Sequence, residues 1–292
     1  MTAMTTEPAT HNVDVPGATL TYDVRVNPQS TEPPLMLIGS PMGAGGFITL
    51  AGHFPDRTVI TYDPRGSDRS AKVDPTSQST PDQHAADLHA IIGAVGGPVD
   101  LFASSGGAVN ALALVARHPE DVHTLVAHEP PLASVLPDRE AAMAATRAVN
   151  RTYMERGGGF GMAHFIASVS HTGEFTPDWA DQPGPDPQMF GMPATDDGSR
   201  TDVLLAQNMI SCTHYEPDFD ALKRAGTRIV LAAGEEGAGT LANRGAVAVA
   251  ERLGSEPAIF PSGHAGFLGG EYGQMGQPDA FAARLREVLG AS

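Results

Sequence analysis

The sequence predicts a mixed α/β domain: a mostly parallel, doubly wound sheet interrupted by an inserted, mainly helical cap. Three observations carry that expectation. Short apolar runs bounded by glycine and proline alternate with helical patterns, the signature of strands joined by crossover helices. Residues 99–120, VDLFASSGGAVNALALVARHPE, pass from a strand-like run through a cluster of small residues into an apolar helical pattern. Between Leu132 and about Pro217 the texture changes to helical stretches separated by loops dense in proline, aspartate and glycine. The domain expectation is therefore a core of residues 1–131 and 218–292 with a cap of residues 132–217.

Taken in order, His11–Val26 reads as two antiparallel strands around the Pro16-Gly17 turn, and Leu35–Ile38 as a buried parallel strand. A glycine-rich loop, IGSPMGAGGF, follows that strand, where backbone can approach a ligand closely. Thr58–Tyr62 is the next strand, closed by the turn chemistry of Asp63-Pro64 and Arg65-Gly66. Thr80, Pro81 and Gln83 form a helix start with a capping box, and Leu88, Ile91, Ile92 and Val95 give that helix one apolar stripe. Val122–Ala127 is a further buried strand, with His128-Glu129-Pro130-Pro131 at its carboxyl end.

Within the cap, Arg139–Arg156 reads as helix, whereas GGGFGM at residues 157–162 and the segment Thr176–Arg200 read as loops. The sheet resumes at Thr227–Ala233, followed by GEEGAG, a helix over Leu241–Leu253, a last strand at Pro257–Phe260, a loop displaying His264, and a closing helix over Pro278–Leu289.

Composition narrows the function classes. The 292 residues carry 18 Lys+Arg against 34 Asp+Glu, and a net charge of −16 disfavours nucleic acid and anionic membrane surfaces as partners. The single cysteine, Cys212, excludes an internal disulfide framework and a cysteine-based metal site. Residues 1–10 lack the basic and apolar regions of a signal peptide and read as a frayed end, and no apolar run reaches the length of a membrane span; the expectation is a cytoplasmic protein.

The chemistry centres on Ser105. Ala103 stands two residues before it and Gly107 two after, which is the pattern G-x-S-x-G with its first glycine replaced by alanine. A serine on a sharp strand-to-helix turn is exposed at the carboxyl end of the sheet, and the backbone N–H of Gly106 is aimed at a developing oxyanion. Ser40, in the earlier glycine-rich loop, is the choice for the second oxyanion donor.

Serine is a weak nucleophile until a base takes its proton, and that base needs an acid to fix its tautomer. His264, on a short loop after the last strand, is the base. For the acid, Glu129 is favoured, with Glu236 and Glu235 as alternatives in Gly234-Glu235-Glu236-Gly237. The cap gathers methionine and aromatic residues suited to an adaptable apolar pocket. Met143, Met154, Phe160, Phe165, Trp179, Met189 and Phe190, with Met42 from the glycine-rich loop, are the candidate lining.

The order Ser105, carboxylate, His264 is that of the α/β-hydrolases, which the chain resembles over nearly all its length. Within that fold, Ser104-Ser105-Gly106-Gly107 and His128-Glu129-Pro130-Pro131 resemble the zearalenone lactone hydrolases, and Arg69-Ser70-Ala71-Lys72 is similar as well. In those enzymes the corresponding glutamate is the triad acid, so the resemblance implies that role for Glu129. A departure is Ile38, where many α/β-hydrolases have the histidine of an H-G-x-P loop. The expected activity is hydrolysis of a small hydrophobic ester or lactone, with no metal and no cofactor. The competing expectations are a carbon–carbon bond hydrolase or cofactor-free perhydrolase using the same triad, and a non-catalytic ligand-binding relative.

Overall fold

The computed structural model describes residues 7–290, so residues 1–6 of the predicted frayed amino terminus lie outside the described residues. Nine strands form one sheet in the order β1-β2-β4-β3-β6-β7-β8-β9, with the two-residue β5 (Ala71–Lys72) paired to β2. The antiparallel edge is a hairpin of β1 (Ala9–Val15) and β2 (Ala18–Arg25) about Pro16-Gly17, and β2 also runs antiparallel to β4 (Val59–Tyr62). From β4 onward every pairing is parallel, through β3 (Leu35–Ile38), β6 (Val99–Ser104), β7 (Val122–His128), β8 (Arg228–Gly234) and β9 (Ala258–Phe260). Parallel order with helical crossovers places all these carboxyl ends on one side, where sites in such sheets lie.

Two layers cover the sheet. On one face α2 (Pro81–Val95), α3 (Gly106–Arg117) and α8 (Leu241–Leu253) bury a core with Leu88, Ile91, Leu112 and Val249; on the other, α1 (Ile48–Gly52) and α9 (Pro278–Gly290) pack with Phe47, Phe102, Phe260 and Phe281. The start of α2 is fixed as the sequence predicts. Thr80 Oγ1 accepts from the N–H of Gln83 at 3.2 Å, and Gln83 Oε1 accepts from the N–H of Thr80 at 2.9 Å. Such a cap contributes about 1 kcal/mol.

Between β7 and β8 the chain leaves the sheet and folds over its carboxyl ends as α4 (Arg139–Arg156), α5 (Gly158–Ser170), a π-helix (Val203–Asn208), α6 (Met209–Thr213) and α7 (Phe219–Arg224). Here the structure corrects one reading: GGGFGM is not a loop but the first turn of α5. Gly157, at φ +86°, breaks α4, and Gly161 lets the new helix press against it, since a Cβ there would come within 2.6 Å of Tyr153 Cβ. These glycines serve a tight reversal and close helix packing, both of which look like loop composition in sequence. Thr176–Arg200 is largely irregular, broken by short 3₁₀ turns at Pro177–Asp181 and Pro187–Phe190. No helix among the described residues is long and apolar enough to cross a membrane.

Candidate active site

Ser105 follows the last residue of β6 and precedes α3, with φ 58° and ψ −129°. That conformation costs a non-glycine residue on the order of 1–3 kcal/mol and persists only where the surroundings enforce it. They do so here. The N–H of Ser105 donates to His128 O at 2.9 Å, and a Cβ on Gly107 would come within 2.9 Å of the Gly39 backbone. At Gly106 a Cβ would lie 2.6 Å from Ser40 O, so only glycine lets the first turn of α3 approach the β3 loop this closely. Ser105, Gly106 and Ser40 consequently share one wall of a cavity of about 730 Å³, and His264 and Gly263 stand on the same cavity.

Glu129 follows β7 directly and also has a positive φ, 48°, which turns its side chain back between β7 and β8. Its Oε2 is 2.6 Å from His264 Nδ1. Its Oε1 accepts from the Gly234 N–H at 2.9 Å and from Asn243 Nδ2 at 3.1 Å. The side chain is fully buried. Burial by itself would raise the carboxyl; the bond to His264, the neighbouring His128 and the Gly234 N–H outweigh it and hold the group down at about 2. A carboxylate so held favours the His264 tautomer that carries its proton on Nδ1.

The alternative acids are placed differently. Glu236 borders the cavity, but its Oε2 accepts from Ser262 Oγ at 3.1 Å, while Glu235 Oε1 lies 3.4 Å from the Ser262 N–H. Position 237 has little room for a side chain. A Cβ on Gly237 would sit 2.9 Å from Glu129 Oε1, so the glutamate occupies the space that a side chain at 237 would fill.

His128 lies beneath this pair with no exposed surface. Its Nδ1 is 3.1 Å from Ser104 Oγ, and its ring stacks 5.9 Å from that of His264 in a nest of Phe102, Phe260, Phe267 and Phe281. Burial, against the pull of Glu129, holds the imidazole down at about 4. Its folded value is depressed below the ordinary 6.5, so the neutral ring's stability contribution is complete above pH 6.5 and is lost as pH falls toward 4. Replacing His128 by glutamine should remove up to about 1.4 kcal/mol per pH unit from the acid slope of unfolding free energy in that window. Urea titrations of both proteins at pH 7 and pH 5 check this; parallel slopes would refute it.

The lining differs from the sequence expectation in its members. Of the candidate side chains, Phe165 lines the cavity, together with Met162, Ile166 and Val169 from the same face of α5 and Leu204, Met209 and Leu241 opposite. Met42 packs against the Phe47 core, Met143 against the small cluster that includes Leu136, Phe175 and Leu241, and Trp179 stacks on His164 at 5.2 Å. Phe160 carries the Arg156 guanidinium over its ring at 3.6 Å, and Met154, Met189 and Phe190 are exposed. Composition marked the right segment, but helix register chooses the face. The spacing 162, 165, 166, 169 is the signal that selects it. Cys212, also on the cavity, lies 3.5 Å from a Cβ placed on Gly106.

Comparison with known proteins agrees with this architecture. A curated relative from Bacillus subtilis (strain 168), YraK, described as an uncharacterized hydrolase, is 29% identical over 272 residues, spanning 87% of this chain and 89% of that protein. Among solved structures, a thermophilic esterase from Thermogutta terrifontis superposes with TM-score 0.63 at 19% identity, covering 97% of this chain and 98% of that one. The carboxylesterase CesB (YbfK) from Bacillus subtilis gives TM-score 0.63 at 17% identity, covering 98% and 93%. The profile of the alpha/beta hydrolase fold matches residues 33–190, over half of the chain. With its parallel sheet and its serine turn at the carboxyl end of β6, the chain belongs to the α/β-hydrolase family of hydrolases.

Proposed function

We propose that this hydrolase cleaves a hydrophobic carboxylic ester or lactone through a Ser105–His264–Glu129 triad and an acyl-enzyme. The observation that carries the reading is the 2.6 Å bond from His264 Nδ1 to a buried, ionised Glu129, with His264 and Ser105 on one cavity. His264 Nε2 takes the Ser105 proton as Oγ attacks the carbonyl carbon. The carbonyl electron pair becomes an oxyanion held by the Gly106 N–H and the Ser40 backbone. His264 returns the proton to the leaving alkoxide, the acyl-enzyme forms, and water repeats the sequence to release the acid. In a lactone the alkoxide stays tethered, so one hydroxy acid leaves.

The cavity supports the substrate class. About 730 Å³ walled mainly by Met162, Phe165, Ile166, Leu204, Met209 and Leu241 suits a medium or large apolar molecule. On this reading the excursion between β7 and β8 is its cap, and the resemblance of Ser104–Gly107 and His128–Pro131 in sequence to zearalenone lactone hydrolases is the ground for including lactones among the substrates. A panel of nitrophenyl esters of increasing chain length, with small and macrocyclic lactones, tests the reading. kcat/KM is expected to rise with acyl length and to be higher for macrocyclic than for small lactones. A preference for acetyl esters and small lactones would overturn the substrate class.

A further inference from the structure

Away from the catalytic face, three side chains meet that acyl transfer does not use. His89 lies on α2, His118 immediately follows α3, and Asp121 ends the three-residue turn leading into β7. His89 Nδ1 is 2.7 Å from Asp121 Oδ2, and the His118 ring stacks on that of His89 with centroids 3.9 Å apart and planes 14° from parallel. One nitrogen or oxygen from each of the three lies within 4.8 Å of the other two. Glu120 Oε1 is a further oxygen, 3.5 Å from His118 Nδ1.

The scaffold under these groups is held by backbone bonds. The N–H of His118 donates to Leu114 O at 2.7 Å, and the N–H of Asp121 to His118 O at 3.1 Å. Both residues thus sit on a short turn clamped between a helix and a strand, and α2 packs alongside α3 to bring His89 over it. The side chains of His89 and His118 are 47% and 31% exposed, so an ion reaches them from solvent.

We propose that His89, His118 and Asp121 bind a divalent transition-metal ion of the Zn²⁺ type, with water or Glu120 completing the coordination. Two imidazoles and a carboxylate are the donor set of a borderline ion, whereas Ca²⁺ and Mg²⁺ take oxygen ligands. The C-terminal carbonyls of α3 favour a cation beside His118. Arg117, the neighbouring positive charge, is engaged with Asp82 at 2.8 Å. Near-parallel rings cannot both direct a lone pair at one ion, so binding opens the stack. The His89 ring rotates and takes the tautomer with its proton on Nε2, so that Nδ1 offers its lone pair to the metal in place of its bond to Asp121. Because α3 is 12 residues long, the site lies about 18 Å from Ser105. Its effect is to tie α2 to the turn entering β7.

The test is calorimetric titration of the untagged full chain with Zn²⁺, made in a His264→Ala background because His128, Glu129 and His264 also offer atoms within 4.8 Å of one another. One saturable equivalent is expected, lost in His89→Gln and in His118→Gln, with Tm raised by Zn²⁺ only where both histidines are present. Co²⁺ in place of Zn²⁺ should give visible absorption bands that disappear with either substitution. His89→Gln should keep full ester turnover in the wild-type background. Unsaturable binding overturns the proposal, as does an equivalent that both histidine variants retain. An equivalent seen in wild type and lost with His264→Ala alone assigns the ion to the catalytic centre and overturns it equally.

Discussion

With Ser105 replaced by alanine, kcat for every ester the wild type turns over is expected to fall on the order of 10⁶-fold, while the fold is retained. The size follows from the division of labour. Without Oγ there is no acyl-enzyme, and only the oxyanion donors and substrate binding remain, so residual turnover stays about 10³–10⁴-fold above that in water. Retention of the fold is expected because the positive φ at 105 is imposed by the His128 carbonyl and the close approach of α3 to Gly39, neither of which involves the hydroxyl. Steady-state assays beside thermal denaturation separate the two effects. A Ser105→Ala protein with even a hundredth of wild-type kcat would rule out the nucleophile.

Replacing Glu129 by glutamine should cost on the order of 10⁴-fold in kcat, because an amide cannot hold the productive His264 tautomer or stabilise the imidazolium. A stronger expectation comes from Gly237. Since a Cβ there would meet Glu129 Oε1 at 2.9 Å, Gly237→Asp alone should be damaging. In a Glu129→Ala background the same change places a carboxylate in the vacated space beside Asn243, 3.6 Å from the Cβ position, and should recover at least tenfold of the lost kcat. The two substitutions should therefore be much worse apart than together. Glu236→Ala, whose carboxylate is engaged by Ser262, should keep kcat within a few-fold of wild type. A Glu129→Gln protein near wild-type activity, or a Glu236→Ala protein without activity, would move the acid to the segment after β8.

The sheet and its crossovers were readable wherever a local signal sufficed. The apolar run Leu35–Ile38, the Thr80 capping box and the alanine-rich Leu241–Leu253 each carry their own boundary, and the structure reproduces them. The candidates Ser105, Glu129 and His264 were picked in the sequence as residues following strands, and the structure brings them together at the carboxyl end of the sheet. What holds them was not readable. The bonds from Gly234 and Asn243 to Glu129 join residues more than 100 positions apart, and nothing in either neighbourhood announces the partner. Buried ion pairs such as Arg65–Asp87, at 2.5 Å, look in sequence like ordinary surface charges. The cavity lining was misassigned for a different reason. Large apolar residues between β7 and β8 also serve small cores there, as Trp179 and Met143 do, so residue type alone does not tell core from wall.

The most direct measurement is mass-spectrometric mapping of the protein after brief exposure to a fluorophosphonate, comparing wild type with His264→Ala. A single adduct on the peptide bearing Ser105, formed rapidly by wild type and slowed by orders of magnitude without His264, is the expected result. An ester-hydrolysing preparation that leaves Ser105 unmodified, or a Ser105 adduct that forms equally fast without His264, would contradict the triad.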